Sequence, residues 1–331
     1  MYKAGGHLLT SQFRPSRGTT DMIFAALQIQ EKCREQRRDL YVAFIELNKA
    51  FDSVNREALW GCPPKFISIV RQLHDGMNGS VLHNGVKKGC VVAVTLFFIF
   101  LVAFLSRASA NLSGLVDIEY LARTKVSVAS ITELQYTDDL TLVAHSEHEL
   151  QEILNIYANA YAHFGLEVNV RKTQIIFQPA PGSDTPPISI QLNGTTLSNV
   201  THSRYLSFHL STTADIDEEI QKRIRYASQA FGGLRNRVFS CRELKLSTKL
   251  HVYRAVVLPT LLYGSETWVT YKRHLKALEN FHQRSLRSIL RVCWEDKRTD
   301  TSILADTNCR SIEAANIHEH LATSVKRSQN T

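Results

Sequence analysis

Asp138 and Asp139 stand side by side in ELQYTDDLTLVAH (133–145), between two runs of β-forming residues. Adjacent carboxylates repel, and a sheet environment raises the cost of keeping both ionised, so the pair needs a partner. A divalent cation supplies one, because Mg²⁺ takes oxygen ligands and leaves positions open for substrate phosphates. A third acid, Glu46, is the only charge in the apolar run LYVAFIEL (40–47). With that run as a buried neighbouring strand, Glu46, Asp138 and Asp139 make the ligand set of a two-metal phosphoryl-transfer site. An Asp-Asp pair alone is more often a turn signal; the second, strand-borne acid is what favours chemistry.

The elements that must position these acids can be read from periodicity. Residues 21–38 place Ile23, Ala26, Leu27 and Gln30 on one helical face and end in mixed charge, which predicts a surface helix. The run 40–47 is apolar at nearly every position, as a strand covered on both faces is. Residues 133–145 predict a strand, a tight polar turn at Thr137-Asp138-Asp139 and a second strand. Ser146-x-x-Glu149 is a capping box for a helix ending at Gly165. Residues 166–177 predict a hairpin-like strand pair around Arg171-Lys172, and Asn193-Gly194 predicts a short hairpin. From 215 to 290 the pattern is helical, so a boundary is expected near 211, giving domains 1–210 and 211–331.

Composition excludes several classes. The 331 residues are 44% hydrophobic with 39 Lys+Arg, 31 Asp+Glu and net charge +8, which rules out disorder and collagen-like repeats. The six cysteines, at 33, 62, 90, 241, 293 and 309, form no C-x-x-C pair, so no zinc site is expected and an intracellular location is. The first residues have no apolar core of signal-peptide length. The apolar run 91–105, VVAVTLFFIFLVAFL, falls short of the ~20 residues a membrane helix requires and is expected as a buried core helix, with no membrane partner. His145-x-x-His148 has no third ligand in view and reads as helix-surface histidine.

Charge is distributed unevenly. Residues 222–298 hold 17 basic against five acidic residues, net +12, which leaves −4 for the rest of the +8 chain. Aromatics are interleaved there (Tyr226, Tyr253, Tyr263, Trp268, Trp294), as a grip on a phosphate backbone would have them.

At this point a family resemblance emerges. Tyr136-Thr137-Asp138-Asp139 resembles the Y-x-D-D box of reverse transcriptases, and AFIELNKAFD (43–52) resembles the A-F-I-D-L-x-K-A-F-D segment of non-LTR retrotransposon polymerases. In the same order, FRPSRGTTD (13–21) looks like the opening of the fingers and NGVKKGC (84–90) like the N-G-V-x-Q-G-C that starts the family's apolar helix. Residues 165–173 are similar to G-L-x-I-N-x-x-K-T, Tyr205-Leu206 to the Y-L-G of the primer grip, and LPTLLYGSETW (258–268) to a thumb-side segment. The series covers residues 12 to about 300.

The resemblance implies an α+β fold: a right-hand polymerase palm, an antiparallel sheet with helices packed on one face, with partial fingers and an all-α thumb-like C-terminal region. It implies RNA-directed DNA polymerisation with two Mg²⁺ ions held by Glu46, Asp138 and Asp139, dNTPs as substrate and an RNA or DNA template-primer as partner. Phe51 would stand where the family places an aromatic gate against a 2′-hydroxyl, Lys88 and Gly89 would approach the nucleotide, and Lys172 would reach the triphosphate. Tyr205 and Leu206, with Arg223, Arg225, Arg235 and Arg237 of the basic module, would contact nucleic acid.

This copy departs from the pattern at Glu46 (family Asp), Lys88 (Gln), Val94 (Pro) and Ser207 (Gly). The intervals between Trp60 and Gly61, Asn78 and Asn84, and Leu105 and Thr124 are shorter than the family's, and neither the first fingers strands nor an endonuclease domain is in view. The expectation is therefore a degenerate, partly deleted copy with impaired activity. A catalytically inactive remnant that at most binds nucleic acid is the alternative.

Overall fold

A computed structural model describes residues 18–48, 104, 118–122, 125–129, 131–163, 165–183 and 187–316. Two compact units divide the chain, Met1–Leu206 and Ser207–Thr331.

The first unit opens with helix α1 (Thr19–Glu35), whose buried face is Met22, Ile23, Ala26, Ile29, Gln30 and Cys33. Leu27, expected on that face, is half-buried, and Ile29 takes its place. Strand β1 (Leu40–Ile45) is buried at all six positions and lies inside the sheet, paired along both edges. It pairs antiparallel with β6 (Asp139–Ala144) and with β8 (Gln174–Gln178). β5 (Glu133–Tyr136) flanks β6, and β11 (Ser198–Asn199) runs parallel to β8, giving the order β11-β8-β1-β6-β5. This is an α+β arrangement with a mainly antiparallel sheet. A separate antiparallel pair joins β3 (Ile118–Ala122) to β4 (Lys125–Ala129).

Helix α2 (Glu147–His163) packs against β1 and β6 through Leu150, Ile153, Leu154, Tyr157, Ala160 and Tyr161, an i, i+3, i+4 stripe. Its start carries the expected capping box: the Glu149 amide donates to Ser146 Oγ at 3.2 Å, and the Ser146 amide donates back to Glu149 Oε2 at 3.2 Å. Asn193 (φ 51°) and Gly194 (φ 75°) form the expected two-residue turn between β9 (Gln191–Leu192) and β10 (Thr195–Thr196).

The expected strand pair at 166–177 is not a hairpin. β7 (Glu167–Val168) pairs with β2 (Leu47–Asn48), and β8 pairs with β1 and β11. The reason is the turn at Asn169, whose carbonyl accepts from the Lys172 and Thr173 amides at 3.1 and 2.9 Å and swings the chain from one partner to the other.

β12 (His202–Tyr205) ends the first unit and β13 (Phe208–Ser211) opens the second. The second unit continues as helix α3 (Asp217–Leu234) with a wide π turn at Arg235–Phe239, then α4 (Leu246–Val252), a π turn at Tyr253–Val257, α5 (Leu258–Leu261), α6 (Lys272–Leu290) and α7 (Asp300–Thr307). Its core gathers Phe239, Tyr253, Val257, Leu261, Leu278 and Leu286, each at most 1% exposed.

Among the described residues no helix is long and apolar enough to cross a membrane. Phe51, Lys88, Gly89 and the apolar run 91–105 lie outside the described residues, except for Phe104. That ring is buried and stacks on Tyr161 with centroids 4.2 Å apart.

Candidate active site

The acid pair sits where its sequence context puts it. Tyr136 pairs with Asp139 across the hairpin, leaving Thr137 and Asp138 as the turn. Thr137 adopts φ 53°, and its hydroxyl lies 2.7 Å from both the Tyr136 carbonyl and Asp138 Oδ1. That conformation is strained for a β-branched residue, and the local hydrogen bonding offsets part of the strain. The tip is therefore held in one geometry, with Asp138 in the turn and Asp139 as the first residue of β6.

Glu46 reaches the same end of the sheet through the register. The last β1–β6 rung is Ile45 with Leu140, so one residue further Glu46 stands level with Asp139. It is not buried, as its apolar context suggested: its side chain is 45% exposed. β1 stops at Ile45 because the Glu46 carbonyl accepts from the Asn169 amide at 2.8 Å, which turns the chain over to pair with β7. The same turn delivers Lys172, whose Nζ donates to Glu46 Oε1 at 2.6 Å. Both side chains are substantially exposed, so the pair contributes little to stability and mainly fixes local charge.

Asp139 registers this environment. Burial first, then the charges of Asp138 and Glu46, push its carboxyl up to about 6, with Arg204 pulling the other way. Two carboxylates thus act on a third at the hairpin end, an electrostatic load that a divalent cation with oxygen ligands relieves. In donor chemistry the residues fit Mg²⁺. In placement the set is partial: among the described residues no group of three or more His, Cys, Asp or Glu side chains is arranged to hold an ion, and Glu46 is engaged by Lys172.

The strand order also sets what lies beside the acids. Thr141, two residues on from Asp139, pairs with Phe44, and the Tyr205 ring packs on Phe44 with centroids 5.7 Å apart. Tyr205 is 3% exposed, so its ring is packed in the core of the first unit. Leu206 follows in the left-handed region at φ 47°.

The four arginines divide. Arg223 is buried and ion-paired with Glu219, so its charge is spent inside the fold. Arg225, Arg235 and Arg237 are exposed, and their side chains are left to solvent while the Arg235 carbonyl accepts from the Ser240 amide.

Two contributors escaped the sequence reading. Arg204 is exposed on β12 and its charge acts on Asp139; its alternation with buried Ser203 and Tyr205 was the available signal. Glu219 lies four residues before Arg223 on α3, the helical spacing of an ion pair.

Comparison with known proteins then decides the family. The reverse transcriptase (RNA-dependent DNA polymerase) family model matches residues 6–210, which span the hairpin acids, Glu46 and Lys172. The chain belongs to the reverse transcriptase family. Its relatives are proteins of mobile elements, in keeping with the non-LTR retrotransposon type that its motifs resemble. It is 23% identical over 316 residues, 87% of this chain, to the RNA-directed DNA polymerase from mobile element jockey of Drosophila melanogaster, covering 32% of that protein. A transposon-derived protein of Caenorhabditis elegans is 25% identical over 53% of this chain and 62% of its own length. The Pol polyprotein of the type-2 retrotransposable element R2DM of Drosophila melanogaster is 24% identical over 48% of this chain and 16% of its own. The reverse transcriptase chain thus spans from under a fifth to about three-fifths of the length of these relatives.

Proposed function

We propose that the chain carries out template-directed nucleotidyl transfer, extending a primer 3′-hydroxyl with dNTPs on an RNA or DNA template. The observation that carries this reading is the hairpin in which Asp138 and Asp139 face Glu46 across the β1–β6 register, with Asp139 displaced to about 6 by burial and by the other two carboxylates. Glu46, Asp138 and Asp139 would hold Mg²⁺, which when bound supplies an activated 3′-oxygen and charge stabilisation of the leaving pyrophosphate.

The chain's own residues do the rest. The left-handed Thr137 turn fixes the two aspartates before any ligand arrives. Lys172, 59% exposed beside Glu46, can share its charge with an incoming triphosphate. Phe51, Lys88 and Gly89 are assigned to the nucleotide by the family motifs alone. In this reading the first unit is the palm with partial fingers. The helical 207–331 unit is a thumb-like module whose exposed Arg225, Arg235 and Arg237 grip phosphates.

A second reading, a remnant that binds nucleic acid without catalysis, is favoured by one observation: Glu46 replaces the family's Asp and is held by Lys172. Primer extension on poly(rA)/oligo(dT) with Mg²⁺ or Mn²⁺ separates the two. Incorporation that disappears in Asp138→Ala supports the polymerase, whereas salt-sensitive binding with no incorporation leaves the remnant.

A further inference from the structure

Immediately after Tyr205 the backbone makes two consecutive left-handed residues, Leu206 at φ 47° and Ser207 at φ 65°. Glycine adopts this region freely, and a residue with a Cβ does not. The family motif has Gly at the second of these positions, and this chain has Ser. Something other than intrinsic preference must therefore hold Ser207 in place.

The second unit contains such a device. Glu219, fully buried on the first turn of α3, accepts from the His209 backbone amide and lies against His209 Nδ1, both at 2.9 Å. Its other carboxylate oxygen accepts from Arg223 Nε. The far end of the Arg223 guanidinium donates to the Ser207 carbonyl. Tyr263 covers the guanidinium face at 4.5 Å from its ring centroid, with Tyr226 at 5.9 Å. One carboxylate thus binds the strand after the turn, and through one guanidinium it binds the turn itself. The guanidinium reaches the two acceptors from separate, rigidly spaced nitrogens, whereas a lysine would have to serve both from one flexible ammonium.

We propose that Glu219 and Arg223 are positioning residues that clamp Ser207 in the left-handed conformation its side chain disfavours, and thereby set the backbone that follows Tyr205 for the nucleic-acid strand. The second half of this statement rests on the polymerase reading. A buried carboxylate and guanidinium would be costly to retain if they served packing alone, since an apolar pair of similar volume does that as well. Their joint hold on the Ser207 carbonyl supplies the specific role.

The test is a rescue series read by fluorescence anisotropy with a labelled primer–template, and by thermal unfolding of the same proteins. Arg223→Lys keeps the charge beside Glu219 but gives up the fork. It should weaken primer–template binding by about tenfold, the affinity equivalent of one charge-assisted hydrogen bond. Adding Ser207→Gly should restore binding to within about threefold of wild type, because glycine needs no clamp, while adding Ser207→Ala should restore nothing. Equal behaviour of the glycine and alanine additions, or undiminished binding by Arg223→Lys, would overturn the clamp. Failure of the wild type to bind primer–template would instead defeat the polymerase reading. The clamp would then be decided by unfolding, where Ser207→Gly must recover the midpoint lost in Arg223→Lys and Ser207→Ala must not.

Discussion

Replacing Asp139 with Asn should stabilise the metal-free protein at neutral pH and have little effect in acid. The Asp139 carboxyl is raised from an ordinary 3.8 to about 6, by burial first and then by Asp138 and Glu46. At 1.36 kcal/mol per pKa unit the displacement is worth about 3 kcal/mol, and solvent reaching a half-buried group reduces it to about 1–2 kcal/mol. Because the folded value lies above the unfolded one, the native state holds the proton more tightly. The associated stability is complete below about pH 4 and is lost as pH rises through about 6. Asparagine cannot ionise, so Asp139→Asn should exceed wild type by about 1–2 kcal/mol at pH 7.5, or about 2–8 °C in Tm for a unit of this size, and match it near pH 4. Thermal unfolding in chelator at pH 4 and pH 7.5 reads this directly. Added Mg²⁺ should narrow the gap at pH 7.5 by stabilising only the wild type. A difference that is the same at both pH values, or that favours wild type at pH 7.5, would refute the electrostatic account of the hairpin.

Glu133, whose carboxyl burial pushes up to about 7 and whose Oε2 lacks a hydrogen-bond partner, should behave in the same direction. Glu133→Gln should gain about 2–3 kcal/mol at pH 8 in urea unfolding, and the gain should vanish below pH 4.5. Arg235→Gln with Arg237→Gln should leave unfolding unchanged and make the slope of log affinity against log salt shallower by about 2, checked by anisotropy on duplex between 50 and 200 mM salt. Gly194→Ala should destabilise by about 1 kcal/mol, a purely conformational loss, because φ is +75° and a Cβ there meets nothing within 4 Å.

Much of this site was legible in the sequence because it rests on local rules. The tight turn expected at Thr137-Asp138-Asp139, the Ser146/Glu149 capping box and the Asn193-Gly194 turn each depend on neighbours within four residues; all three form, the first shortened by Asp139, which opens β6. The apolar run 40–45 marked a strand buried on both faces, and it does lie inside the sheet with both edges paired. What periodicity could not supply was long-range partnership. Val168 pairs with Leu47 and Ile175 with Ala43, a divergence set by the Asn169 turn that no alternation pattern records. For the same reason Glu46 emerges half-exposed and tied to Lys172, 126 residues away. Arg223, one of the four arginines of the basic module, is buried because Glu219 one helical turn earlier meets its charge. The Tyr205 ring packs in the core on Phe44, a partner 161 residues earlier that no local pattern records.

The most direct test of the central claim is the single-turnover rate of dTTP incorporation on poly(rA)/oligo(dT) with Mg²⁺, measured for wild type, Glu46→Asp and Asp138→Ala. With the three carboxylates as the catalytic centre, wild type incorporates slowly. Glu46→Asp, restoring the family's shorter side chain, is faster by up to about 100-fold, the scale of a misplacement near 1 Å. Asp138→Ala incorporates nothing. Incorporation that survives Asp138→Ala, or a Glu46→Asp protein no faster than wild type, would contradict the assignment.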